Sequence, residues 1–178
     1  MKTMLRILLV VFVLIGLFIL FTHFPTQKTQ CDLEYLILTD NMMPLKWTRS
    51  GQVLPPVLPK QGARDALGIV YENGSYIAQD KIYQYKNTVL AFLFFRINNQ
   101  LYFPSGLWRW SDLAGSEDWS LNGDERRIRC GDSDDPLLGH LCVAVIRYGT
   151  NISEFSSPIG EEIMSQDEFK KIVIAIDN

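Results

Sequence analysis

GIVYENGSYIAQDKIYQY, residues 68–85, is the stretch that decides the fold. Apolar and aromatic residues at 68–71 and 76–85 flank Glu72-Asn73-Gly74-Ser75. Asn-Gly is the strongest short hairpin turn, because both residues tolerate positive φ. A second hairpin is expected downstream, with residues 141–148 and 152–159 joined around Gly149-Thr150-Asn151. Between the two lie shorter strand candidates at 101–103, 107–110 and 126–130, separated by Gly, Ser, Asp and Pro clusters. Two helices complete the pattern. Asn87 or Thr88 can cap residues 89–97, where Leu90, Phe94 and Ile97 fall on one stripe with Leu93 beside it, although a buried strand is the rival for so apolar a run. The last helix is clearer: Ser165-Gln166-Asp167-Glu168 matches a capping box, and Phe169, Ile172, Val173 and Ile176 give the i, i+3, i+4, i+7 face. This order predicts an α+β domain, an antiparallel sheet with two helices packed on one face.

Working outward, residues 33–38 form an apolar run of ambiguous type, and residues 49–62 carry Pro55, Pro56 and Pro59 and read as a loop. Residues 7–21 are an unbroken run of 15 apolar or glycine residues. Extended to Phe24 the run has 18 residues, which is ~27 Å of helix and enough for a thin hydrocarbon core. Lys2 and Arg6 precede it, so residues 1–6 are expected to stay cytoplasmic, 7–24 to form a single transmembrane signal-anchor, 25–31 to act as a spacer, and 32–178 to form an extracytoplasmic globular domain. The residues after the run offer no small-residue cleavage pattern. Cys31 follows Lys28-Thr29-Gln30, and a free thiol, a bridge between chains and a lipid attachment all stay open for it.

The chain of 178 residues has a formal charge of −3, and residues 32–178 hold all 20 acids against 14 of the 17 bases. That balance argues against nucleic acid, which needs a concentrated basic face.

Cys130 and Cys142, 12 residues apart and each beside a strand candidate, are expected to form a structural disulfide in an oxidising compartment. Without a C-x-x-C motif and with only His140 nearby, no metal is expected. Asp132, Asp134 and Asp135 resemble the start of a calcium loop, but the positions needing Gly and Glu hold Leu137 and Val143. His140 could activate a serine beside Asp134 or Asp135, yet no G-x-S-x-G accompanies it, and no catalytic residue is assigned. Trp108, Arg109 and Trp110 are the candidate binding residues. If 107–110 is a strand, both tryptophans share one face and can stack on a sugar ring or a protein partner, or else fill the core. Tyr83 and Tyr85 alternate onto one face, and with Trp47 they are expected in the core.

In layout the chain resembles anchored bacterial extracytoplasmic domains of unknown function, through the Lys2/Arg6 flank, the apolar span and the Cys130/Cys142 pair. It is similar also to extracellular sensor-type domains of some bacterial serine/threonine kinases, in which disulfides brace the fold, but it carries no kinase segment. The resemblance implies a tethered accessory or sensing domain and assigns no site residue.

The expected function is therefore a non-catalytic, membrane-tethered extracytoplasmic binding or accessory domain of unknown ligand, without cofactor, touching the membrane through its N-terminal helix and meeting a protein partner or glycan. The alternative is a small single-span structural subunit of a membrane complex, and a hydrolase using His140 is the third reading.

Overall fold

The computed structural model describes residues 33, 36–50, 62–98, 102–106, 108–134 and 139–177. The expected segments at 1–6, 7–24 and 25–31, together with Cys31 and most of the proline-rich loop, lie outside the described residues. Among the described residues no helix is long and apolar enough to cross a membrane.

The first hairpin forms from β2 (Ala63–Asn73) and β3 (Tyr76–Tyr85). Asn73 stays in the ladder opposite Tyr76, so the two-residue turn is Gly74-Ser75 rather than Asn73-Gly74. Gly74 takes φ +62 with open space around it, which satisfies the one turn position that most needs glycine. The second hairpin, β6 (His140–Tyr148) and β7 (Asn151–Ile159), forms as expected and turns through Gly149 and Thr150. β1 (Thr48–Arg49), β4 (Trp108–Asp112) and β5 (Glu125–Ser133) complete one antiparallel sheet of seven strands, in the order β1-β2-β3-β7-β6-β5-β4. Tyr102 and Phe103 are not in a strand. They follow the first helix, Tyr102 N–H donating to the Asn98 carbonyl at 3.2 Å, and both are buried as a plug on the sheet.

Among the described residues the α-helices are α1 (Thr88–Ile97) and α2 (Gln166–Asp177). Asn87 caps α1, its side chain accepting from Leu90 N–H at 2.8 Å. Ser165 and Glu168 close the capping box of α2 in both directions, at 2.7 and 3.2 Å. At its far end Asp177 accepts from the backbone N–H groups of Asn122 and Gly123, tying the helix to the approach to β5.

The two helices do not share a face of the sheet, contrary to the expectation from sequence. α2 places Phe169, Ile172 and Val173 in a core with Ile69, Tyr71, Ala78, Ile82, Ile128, Ala144, Ile146 and Phe155, roofed further by Leu38, Met43, Trp47 and Trp119. α1 places Ala91 and Phe95 in a separate core with Tyr83, Tyr85, Val143, Val145 and Ile152, alongside Tyr102 and Phe103. The pairs Ile128↔Ala144 and Ala144↔Phe155 project to one side, and Arg129↔Val143 and Arg147↔Ile152 to the other. Strands such as VAVI (143–146) are therefore apolar on both faces, and each face needs its own cover. The buried side of α1 is also turned from its expected stripe. Ala91 and Phe95 are inside, Leu90 and Phe94 are partly buried, and Ile97 is 70% exposed.

Candidate functional site

β4 is an edge strand, and its alternation sends Trp108 and Trp110 to the α1 side of the sheet and Arg109 to the other, as the spacing predicts. The indole rings lie 5.8 Å apart and both are half-buried. Trp110 meets Phe103 edge-on at 5.3 Å, donates its ring N–H to the Pro104 carbonyl at 2.8 Å, and lies over Gly131, where a Cβ would come within 3.0 Å of the ring. Thus Trp110 is held from below and on one side. Arg109 is separated from them by the sheet and pairs with Asp134 at 3.2 Å on the surface.

Beside this pair, on the same face, β5 presents Arg129 and Arg127. Arg129 stands diagonally across from Trp110, pairs with Asp112 at 2.8 Å and stacks over Phe103 at 5.1 Å. Arg127 stacks over Phe95 of α1 at 4.7 Å. Arg96, from the last turn of α1, lies over Phe92 at 5.5 Å and pairs with Glu125. Burial lowers the Arg127 pKa, and the neighbouring charges of Arg96 and Arg129 lower it further. Three guanidinium groups thus converge on a patch of aromatic rings in a domain with an excess of acids. A cavity of 410 Å³ opens where β4 ends and β5 continues, lined by Asp112, Ser116, Glu117, Arg126, Arg127 and Arg129. Arg126, on the opposite face, spends its guanidinium on the carbonyls of Trp119 and Glu117. Residues 126–130 read as a strand from their sequence, with no role evident there for their arginines. The available signal is the i, i+2 spacing of Arg127 and Arg129, which places both on one face of a strand.

Cys130 and Cys142 form the expected disulfide, directly opposed across β5 and β6. His140 does lie beside a carboxylate, and the partner is Asp132, directly opposite, with Nδ1 2.7 Å from Oδ1, while Asp134 pairs with Arg109 and Asp135 lies outside the described residues. Its other nitrogen, Nε2, faces the Cys142 sulfur at 3.7 Å rather than a serine hydroxyl. A buried polar group on the α1 side escapes the sequence reading altogether. Glu154 of β7 lies 3.5 Å from Lys81 Nζ and accepts from Tyr83 hydroxyl at 3.3 Å. Burial, and then Glu154, push the Tyr83 pKa up. This group ties β3 to β7.

No family model matches this chain, and no curated protein or solved structure matches it either. Function is therefore argued from the site chemistry alone.

Proposed function

We propose that the protein is a membrane-tethered, extracytoplasmic, non-catalytic binding domain whose ligand is an acidic glycan, a saccharide bearing carboxylate or phosphate groups. The observation that carries this reading is the convergence of Arg96, Arg127 and Arg129 on aromatic rings beside the Trp108/Trp110 pair. Indole faces stack on the apolar faces of sugar rings, and guanidinium forks grip carboxylate or phosphate in two-point contacts. Such a ligand answers both halves of the patch: the rings offer faces to the sugar, and the guanidinium groups offer N–H donors to its acid groups in addition to the pairs that Arg96 makes with Glu125 and Arg129 with Asp112. The tether rests on the apolar run at 7–24 with Lys2 and Arg6 before it. Export is supported by the Cys130–Cys142 disulfide, a bond that persists in oxidising compartments.

The test is a titration of the full chain in detergent, followed by tryptophan fluorescence, with uronic-acid oligosaccharides and their carboxyl-reduced neutral counterparts. The acidic sugars should bind and the neutral ones should not. Arg127→Gln should lower affinity by roughly tenfold or more, the effect of one charge-assisted hydrogen bond. Equal binding of both sugar sets, or of neither, would overturn the reading.

A second reading, a single-span subunit of a membrane complex, is supported by Phe92, Leu93 and Ile97 on the outer side of α1, which are 42%, 39% and 70% exposed. Capture of the tagged chain from gently solubilised membranes separates the two. Stoichiometric co-purifying proteins favour the subunit, and recovery of the chain alone favours the ligand-binding domain.

A further inference from the structure

The end of the β5–β6 hairpin where the two strands are joined gathers a set of donor atoms that the glycan surface does not use. Ser133 N–H donates to the Gly139 carbonyl at 3.1 Å. The alternate pairs Asp132↔His140 and Cys130↔Cys142 then occupy the non-hydrogen-bonded positions of the ladder, where side chains approach most closely, and all four project from the face opposite α1. The two sulfurs and a ring nitrogen of His140 lie within 4.8 Å of one another. Nδ1 engages the Asp132 carboxylate at 2.7 Å and Nε2 lies 3.7 Å from Cys142 Sγ. A proton on Nδ1, donated to Asp132, leaves the Nε2 lone pair directed toward the sulfurs. Two sulfurs and one imidazole are zinc ligands, and a carboxylate behind the imidazole is the outer-shell contact that metal-binding histidines make.

We infer that the reduced chain binds one Zn²⁺ through Cys130 Sγ, Cys142 Sγ and His140 Nε2, with Asp132 orienting the imidazole, and that the disulfide is the oxidised, metal-free form of the same site. Converting the disulfide to two thiols takes two electrons and two protons. A dithiol reductant supplies both and becomes a cyclic disulfide, and a newly synthesised chain already holds the thiols. Zinc uptake then releases the two thiol protons to solvent, leaving two thiolates against a doubly charged cation. That balance matters here, because Cys130 and Cys142 are 4% and 0% exposed and bare thiolates would be costly to hold there. Three protein ligands leave one position of a tetrahedral ion for water, on the side where His140 is 35% exposed.

The test uses the full chain carrying Cys31→Ser, which removes the third thiol. It is reduced with a phosphine under denaturing conditions and refolded in detergent with Co²⁺. One equivalent should bind, with sulfur-to-cobalt charge-transfer absorption and the visible bands of a tetrahedral ion, and Zn²⁺ should displace it. The oxidised chain should give neither band. Cys130→Ser should abolish the charge-transfer signal from a two-sulfur site, and Asp132→Asn should weaken binding by 10- to 100-fold. His140→Gln should change the visible bands and weaken binding by more than Asp132→Asn does. A reduced, refolded chain without the bands would overturn the proposal, and so would spectra and affinity unchanged in His140→Gln. If a variant fails to fold, zinc-edge X-ray absorption of the chain with all three ligands intact decides the question. Two sulfur and at least one imidazole scatterers are expected, and an all-oxygen or four-sulfur shell refutes the assignment.

Discussion

Asp80 shows how a single residue can hold a proton that its strand gives no reason to suspect. It alternates with polar neighbours in Gln79-Asp80-Lys81, and nothing local marks it as buried. The burial is long-range, because the chain at Leu38 folds across the sheet and roofs it. Asp80 Oδ2 accepts the Leu38 N–H at 2.8 Å, while Tyr71 hydroxyl donates to the Leu38 carbonyl at 2.8 Å, so both ends of one residue are held. Burial pushes the Asp80 carboxyl up from 3.8 to about 7, the Leu38 N–H opposes that rise, and the charge of Glu154 adds to it. The folded chain therefore holds a proton at Asp80 that the unfolded chain has already lost. Stability from this residue is complete below about pH 4, declines as pH rises, and reaches its lower level above about pH 7. One such group gives a slope of at most about 1.4 kcal/mol per pH unit. Asp80→Asn should abolish this component, so that denaturant melts at pH 4, 5.5 and 8 show a stability difference between variant and parent that changes with pH. A constant difference across that range would mean that Asp80 does not titrate in the window.

At the scale of the element, the signals that were legible are the local ones. Ser165 with Glu168, Asn87 before an apolar run and Gly149 between two strands each act within four residues of themselves, and each works as the sequence suggests. Ser165→Ala removes the hydroxyl that accepts from Glu168 N–H, and it should cost about 1 kcal/mol in a denaturant melt, with Ser165→Thr recovering most of it. If the alanine variant melted like the parent, the capping box would be ornamental. Less legible was the direction in which each helix turns its apolar side. α1 is apolar almost all round, so periodicity alone could not choose between a Leu90/Phe94/Ile97 stripe and the Ala91/Phe95 one that packs. Tyr102 and Phe103 failed as a strand for a related reason. Aromatic residues suit a pleated surface, but here they are drawn onto the sheet from outside it, with Tyr102 bonded back to Asn98 at the end of α1.

For the molecule as a whole, the expectation of helices on one face failed because a sheet's two sides are not independent in sequence. VAVI at 143–146 has no polar phase, which requires cover on both faces, and one helix lies on each. Site assembly is likewise a matter of register. The Cys130/Cys142 bridge could be read from the sequence because two cysteines beside strand candidates 12 residues apart leave few partners. That His140 faces Asp132, and that Arg127 and Arg129 meet Phe95 and Phe103, depends on pairing between strands and on where α1 lands. The bridge also has a consequence for global stability. It joins neighbours already paired in the native sheet, so its removal deletes few native contacts and acts chiefly on the unfolded chain, which gains the freedom of a loop 12 residues long. For a loop of this size the chain-entropy model gives about 3 kcal/mol, which corresponds to a fall in Tm on the order of 6 to 12 °C for a domain of this length. Replacing both cysteines by Ala adds a cavity on the α2 side, so Cys130→Ala/Cys142→Val, which refills part of it, is the better probe. The full chain in detergent should melt lower by that amount while keeping its sheet signal in circular dichroism. A fall of under about 2 °C would show that the unfolded chain stays compact enough around residues 130–142 for the bridge to constrain little.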